Sequence, residues 1–125
     1  MTWVPFFSGD VTLDESPLDF DRAPPRPGSA DDAAAGVAEG QVYVVVGRAQ
    51  VLAKAVPGST VSSPEDCVDL LRATRPTPDR VPVAADDSLC LLTDEKRIVL
   101  LYVTATSAPA GTAATAVEVW EQSAD

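Results

Sequence analysis

Apolar residues occur along the chain in short runs, separated by turns that contain glycine or proline. Most runs are rich in valine and leucine, and the β-branched valine favours β-strands. The segment 97–106 has apolar residues on both faces, so it predicts a central strand. Interruption by Pro5 and Gly9 predicts one or two edge strands at the amino terminus. The predicted strands span residues 3–13, 41–46, 49–56, 88–93, 97–106 and 113–121.

Two further segments are less regular. Residues 30–40 are rich in alanine, which favours a helix, but Gly36 and Gly40 bracket the segment and no apolar face is present. A weak strand or loop is therefore an equal alternative. Residues 14–21 form an acidic strand or turn, and the closely spaced prolines at 23–29 predict an extended loop.

A single short helix is predicted at residues 64–75. Ser63 can cap the amino terminus, Pro64 suits the first helical position, and Asp66 stands where a capping box has an acceptor. Cys67, Leu70, Leu71 and Thr74 then recur on one face. Pro76 ends the helix.

These elements predict a mainly β domain, a compact barrel or sandwich of six to eight strands with one short helix. The length of 125 residues predicts one domain over 1–125. No run reaches the roughly 20 apolar residues of a transmembrane helix, so we expect no direct membrane insertion by this segment.

Charge and composition exclude several classes of function. The formal net charge is -10, which disfavours nucleic-acid binding because phosphates require basic residues. The chain has no histidine, so catalysis that uses an imidazole base is excluded, and zinc would lack its usual ligand. Phosphate-binding loops are also absent. We therefore expect no enzyme, no catalytic residues, no metal and no cofactor.

The two cysteines carry the strongest prediction. Cys67 lies on the inward face of the predicted helix, and Cys90 lies within an apolar strand. A disulfide would join helix to sheet and contribute about 3 kcal/mol. The alternative is a pair of buried free thiols.

Binding chemistry is most plausible in loops on the β scaffold. In the 14–29 segment, Asp19 and Asp21 can fix polar groups and Phe20 can make apolar contact, so these three residues are the candidate binding site. The equal alternative is that Phe20 points into the core and that these residues are structural. The loop at 107–112 is the second choice. The acidic residues could instead hold calcium, or simply be solvated. Four aromatic residues could form a platform or pack in the core: Trp3, Tyr43, Tyr102 and Trp120.

Three short motifs resemble a domain of actinobacterial secreted and membrane-anchored proteins that has no settled activity. They are Leu18–Asp21, Asp66–Cys67 at the helix start, and Leu89–Arg97. The similarity spans about residues 11–121. Leu91 and Leu92 replace a Val-Arg pair, and Lys96 replaces a glycine that would tolerate a positive φ. The resemblance implies an extracytoplasmic β domain with a Cys67–Cys90 disulfide, and it implies no catalytic residues.

Together these observations predict a non-catalytic, ligand- or partner-binding (sensory) module of an extracytoplasmic protein, which would bind a protein or a small ligand. The alternative is a structural or accessory protein of a virion or other assembly. We expect a location outside the cell or on the envelope exterior, with the export signal missing from the sequence. If Met1 is the native start, we expect a cytoplasmic protein.

Overall fold

The computed structural model describes residues 2–26, 32–46, 51–56, 61–74, 80–93 and 95–123. In these residues, eight strands form two sheets that pack as a sandwich and do not close into a barrel, with one helix. The mainly β prediction is confirmed. The elements are β1 (Trp3–Leu13), β2 (Ala33–Ala38), β3 (Gln41–Val46), β4 (Val51–Lys54), α1 (Pro64–Ala73), β5 (Arg80–Pro82), β6 (Ser88–Leu92), β7 (Ile98–Ser107) and β8 (Thr112–Gln122).

The larger sheet has five strands in the order β1-β8-β7-β6-β4, and its paired strands are antiparallel. β1 lies at an edge, as Pro5 predicts, and its register with β8 shifts between Pro5 and Phe7. The smaller sheet has the order β2-β3-β5. β7 occupies the middle of the larger sheet, which agrees with its apolar residues on both faces.

Strand β7 contributes to two separate cores because its side chains alternate between the faces of the sheet. Val99, Leu101 and Val103 point towards the smaller sheet and lie in the main core. Ile98 and Leu100 point the other way and join a second core beneath α1. All five side chains are buried. The helix therefore explains why the strand is apolar at consecutive positions.

Helix α1 begins as its sequence predicts. The Ser63 side chain accepts a hydrogen bond from the Asp66 backbone N–H at 3.1 Å, and Pro64 stands in the first turn. The helix ends at Ala73, because Thr74 adopts an extended conformation while its N–H still bonds to the Leu70 carbonyl. The helix is thus slightly shorter than the predicted 64–75, and residue 75 lies outside the described residues.

A disulfide joins Cys67 in α1 to Cys90 in β6, with their Cα atoms 5.3 Å apart. Both cysteines are fully buried in the core beneath the helix. The predicted disulfide is therefore present, and it holds the helix against the outer face of the larger sheet.

The alanine-rich segment forms β2, so the alternative of a strand is correct and helix propensity is overridden. β2 pairs with β3 through a two-residue turn at Glu39 and Gly40, which have φ of 53° and 77°. Such turns need positive φ at both positions. The tertiary reason is that Ala33 and Ala35 are buried in the main core, where pairing with β3 satisfies their backbone.

Candidate functional site

The predicted binding residues Asp19 and Phe20 are buried in a folded loop. The loop is fixed by two isolated bridges, Leu18 to Ala33 and Asp19 to Arg26. Phe20 is 0% exposed and is among the largest fully buried side chains of the main core. Its ring therefore packs inside the domain, and Pro27, Gly28 and Ser29 of the predicted proline loop lie outside the described residues.

Three carboxylates meet beneath this loop, and one of them comes from outside the predicted site. Asp32 precedes β2 and joins Asp19 and Asp21, with candidate ligand atoms all within 4.8 Å of one another. Asp32 is fully buried, and its Oδ2 accepts a hydrogen bond from the Phe20 N–H at 2.7 Å. Asp19 Oδ1 likewise accepts from the Asp21 N–H at 2.9 Å.

The Asp21 side chain is bound to the turn between β6 and β7. Its Oδ1 accepts from Thr93 Oγ1 at 2.7 Å and from Arg97 Nη1 at 3.1 Å. The Arg97 guanidinium also lies over the Phe6 ring, 4.1 Å from its centroid. Asp21 thus connects the 14–26 loop to the strand hairpin that carries Arg97.

These contacts give the acidic cluster a structural explanation. Four of its oxygens accept hydrogen bonds from protein donors, and a guanidinium already offsets the charge at Asp21. Burial of hydrogen-bonded and paired carboxylates stabilises a loop without a ligand. We therefore look for a ligand site elsewhere among the described residues.

A cleft of about 480 Å³ joins the two loops that the sequence singles out. Asp14, Glu15 and Ser16 form one side, and residues 110–112 form the other, with β2 as the floor. Val37 is the only large apolar residue among the described residues that line it, and it is 44% exposed. The cleft thus offers little apolar surface to a ligand.

A second cavity, of about 370 Å³, lies between α1 and one end of the larger sheet. Five apolar side chains line it, from one aromatic and four aliphatic residues: Trp3, Val68, Leu71, Leu92 and Ile98. Ligand sites are typically apolar concavities of this kind with a few polar groups, from about 300 Å³ upwards. We call this concavity the helix–sheet cavity and take it as the candidate functional site.

The polar residues that line the helix–sheet cavity are Arg72, Lys96 and Gln122. The described part of the lining contains no carboxylate, although the chain as a whole has 19 acidic and 9 basic residues. Neither Arg72 nor Lys96 forms an ion pair within 4.0 Å among the described residues. The cavity is therefore locally cationic in an acidic protein.

Lys96 adopts a left-handed conformation with φ of 65°. This conformation suits glycine and is strained for lysine. Lys96 thus adopts, at this turn, a positive φ that glycine would tolerate more readily. Strained backbone is common at functional positions, and here it coincides with the cavity.

The four aromatic residues do not form one platform. Trp3 and Trp120 pack against the core beneath the helix, which agrees with the core alternative. Tyr43 lies on the smaller sheet, with the Arg80 guanidinium 4.7 Å from its ring centroid. The exposed Tyr102 hydroxyl donates a hydrogen bond to Asp86, and this bond, desolvation and the carboxylate charge raise the pKa of Tyr102.

Sequence reasoning missed Asp32 and the cavity residues Arg72, Lys96 and Gln122. Pairing of Leu18 with Ala33 is what brings Asp32 to the loop, and no local pattern signals that pairing. The cavity is assembled from both ends of the chain, the helix and the β6–β7 region.

Comparisons with protein-family models, curated proteins and solved structures find no match to this chain. No helix among the described residues is long and apolar enough to cross a membrane.

Proposed function

We propose that the protein is a non-catalytic module that binds a small ligand in the helix–sheet cavity. The observation that carries this proposal is the combination of five large apolar residues with three polar ones around one concavity of about 370 Å³. The lack of histidine in the sequence supports a binding role over acid–base catalysis.

The disulfide supports an extracytoplasmic location for this module. Disulfides persist in oxidising compartments and are rare in the cytosol. Cys67 also lies one residue before Val68, which lines the cavity, so the covalent bond holds one wall of the proposed site in place. A preorganised wall reduces the ordering cost of binding.

Binding in the cavity is tested with an uncharged probe, 1-octanol, titrated into ¹⁵N-labelled protein. We expect amide shifts to concentrate at Val68, Leu71, Leu92 and Ile98, and to be lost in a Val68→Phe variant that fills the cavity. Val37→Phe in the opposite cleft is the matched control and should retain the shifts. If shifts are absent at the cavity or centre on the cleft, the proposal is wrong.

A further inference from the structure

We propose that the ligand of the helix–sheet cavity is a small amphiphile with a single carboxylate and an unbranched apolar chain, such as a medium-chain fatty acid. This inference rests on the proposed function and specifies its ligand. The inference depends on the charged and the apolar side chains that line the cavity.

The charge of the lining selects an anion. Arg72 and Lys96 both line the cavity, both are exposed, and neither has an ion-pair partner within the described ranges. Cations without a protein partner are available to a ligand carboxylate at little cost in lost contacts. The chain carries an excess of acidic residues, so two cations that have no ion-pair partner in the described part of the chain and that line one apolar cavity are complementary to an anionic head group.

The apolar lining selects a hydrocarbon over a peptide. The side chains of the apolar lining offer a peptide backbone no hydrogen bond apart from that of the Trp3 indole N–H. These are the side chains of Trp3, Val68, Leu71, Leu92 and Ile98. Gln122 is the one uncharged polar side chain among the described lining residues. Buried backbone amides need partners, whereas a hydrocarbon chain does not. A fatty acid therefore satisfies the cavity better than a peptide terminus.

The backbone conformation of Lys96 places its charged side chain at the cavity. The left-handed backbone at this turn would be relieved by glycine, yet the residue is a lysine and lines the cavity. At this position the Lys96 ammonium is available to bind a carboxylate head group.

Three probes with the same chain length test the inference by calorimetry: octanoate, 1-octanol and octylamine. We expect octanoate to bind about tenfold more tightly than 1-octanol, with octylamine weakest, and expect the octanoate advantage to shrink in high salt. Affinity should rise about fourfold from each straight-chain carboxylate to the next with one more methylene, until the cavity is full.

Charge-neutral variants identify the head-group contacts. Arg72→Gln and Lys96→Gln should each weaken octanoate binding about threefold and should affect 1-octanol binding less than octanoate binding. Arg26→Gln, an exposed cation outside the cavity, is the matched control and should change neither. Equal binding of octanoate and 1-octanol would overturn the carboxylate inference while the proposed function stands. Failure of all three probes to bind would overturn the proposed function itself.

A carboxylate could also come from the carboxyl terminus of a peptide. Two short peptides that end in leucine test this source, one with a free and one with an amidated carboxyl terminus. We expect octanoate to bind more tightly than either peptide. If the free-carboxylate peptide binds more tightly than octanoate and the amidated one does not, the cavity receives a peptide terminus and the fatty-acid inference is wrong.

Discussion

Arg97 Nη1 lies 3.1 Å from Asp21 Oδ1, and this ion pair joins the acidic loop to the turn before β7. The Asp21 side chain is 1% exposed and that of Arg97 is 19% exposed, so water screens the pair only weakly. Glu95 lies 3.9 Å from the same guanidinium but is 61% exposed. A third carboxylate, that of Glu121, also lies 3.9 Å from the guanidinium and is 34% exposed. Among the described residues, Asp21 is thus both the nearest and the most buried of the three acidic partners of Arg97.

We expect Asp21→Asn to lower the free energy of unfolding by about 2 kcal/mol, because Arg97 loses a buried charged partner. Glu95→Gln, which removes an exposed partner of the same arginine, should cost less than about 0.5 kcal/mol. Urea denaturation of both variants provides the measurement. Equal effects would show that burial does not set the strength of these pairs.

The second prediction concerns the disulfide. Cys67 and Cys90 are 23 residues apart in the sequence, and loss of the bond between them should lower the free energy of unfolding by about 3 kcal/mol. Thermal unfolding with and without reductant measures this effect, and a Cys67→Ala/Cys90→Ala variant serves as the control because it should no longer respond to reductant. Two titratable thiols in unreduced, denatured protein would contradict the bond.

Phe20→Ala addresses whether the acidic loop binds a partner directly. The ring is fully buried, so its truncation should cost about 3 to 5 kcal/mol. Phe20→Leu keeps most of the apolar volume and should cost less. Circular dichroism and urea denaturation separate the two variants. If Phe20→Ala is as stable as the wild type, the ring does not belong to the core, and a direct binding role becomes the better explanation.

Substitutions at Lys96 separate the effect of its positive φ on stability from the effect of its charge on ligand binding. Lys96→Gly should raise the free energy of unfolding by about 1 kcal/mol because glycine tolerates the φ of 65°, and it should weaken octanoate binding. Lys96→Asn also removes the charge, but asparagine relieves the strain less fully. Both variants should therefore show the same loss of affinity and different gains in stability.

Tyr102 provides a prediction for alkaline pH. Folding raises its pKa above the ordinary 10.0, chiefly through the hydrogen bond to Asp86, so the neutral phenol stabilises the folded state. This contribution is complete below pH 10.0 and is lost as the pH rises through the higher folded-state pKa. Asp86→Asn should lower the pKa of Tyr102, as measured by phenolate absorbance, and Tyr102→Phe assigns the transition. An unchanged titration would contradict the role of Asp86.

What the sequence could predict depends on whether the signal is local. The start of α1 and the burial of Cys67 follow from residues within one or two turns, and both are confirmed. The sequence leaves the position of Phe20 open, because its acidic neighbours suggest a surface loop while its ring suits the core. The structure shows that the ring is buried, in a loop held by the non-local Leu18–Ala33 bridge. The cavity could not be predicted either, because Trp3 and Gln122 approach each other only through pairing of β1 with β8.

The position of the disulfide within α1 has a mechanical consequence. Cys67 lies in the first half of the helix, while Arg72 lies five residues further on, about 7.5 Å along the axis. A tilt of about 10° around the covalent attachment would move the Arg72 backbone by about 1 Å and leave the Val68 backbone almost in place. The covalent attachment therefore fixes the part of the helix beside the lining residue Val68 and leaves Arg72 at the end that such a tilt moves. In the proposed complex, a tilt of this kind would adjust the cationic end to head groups of different size while the attachment stays intact.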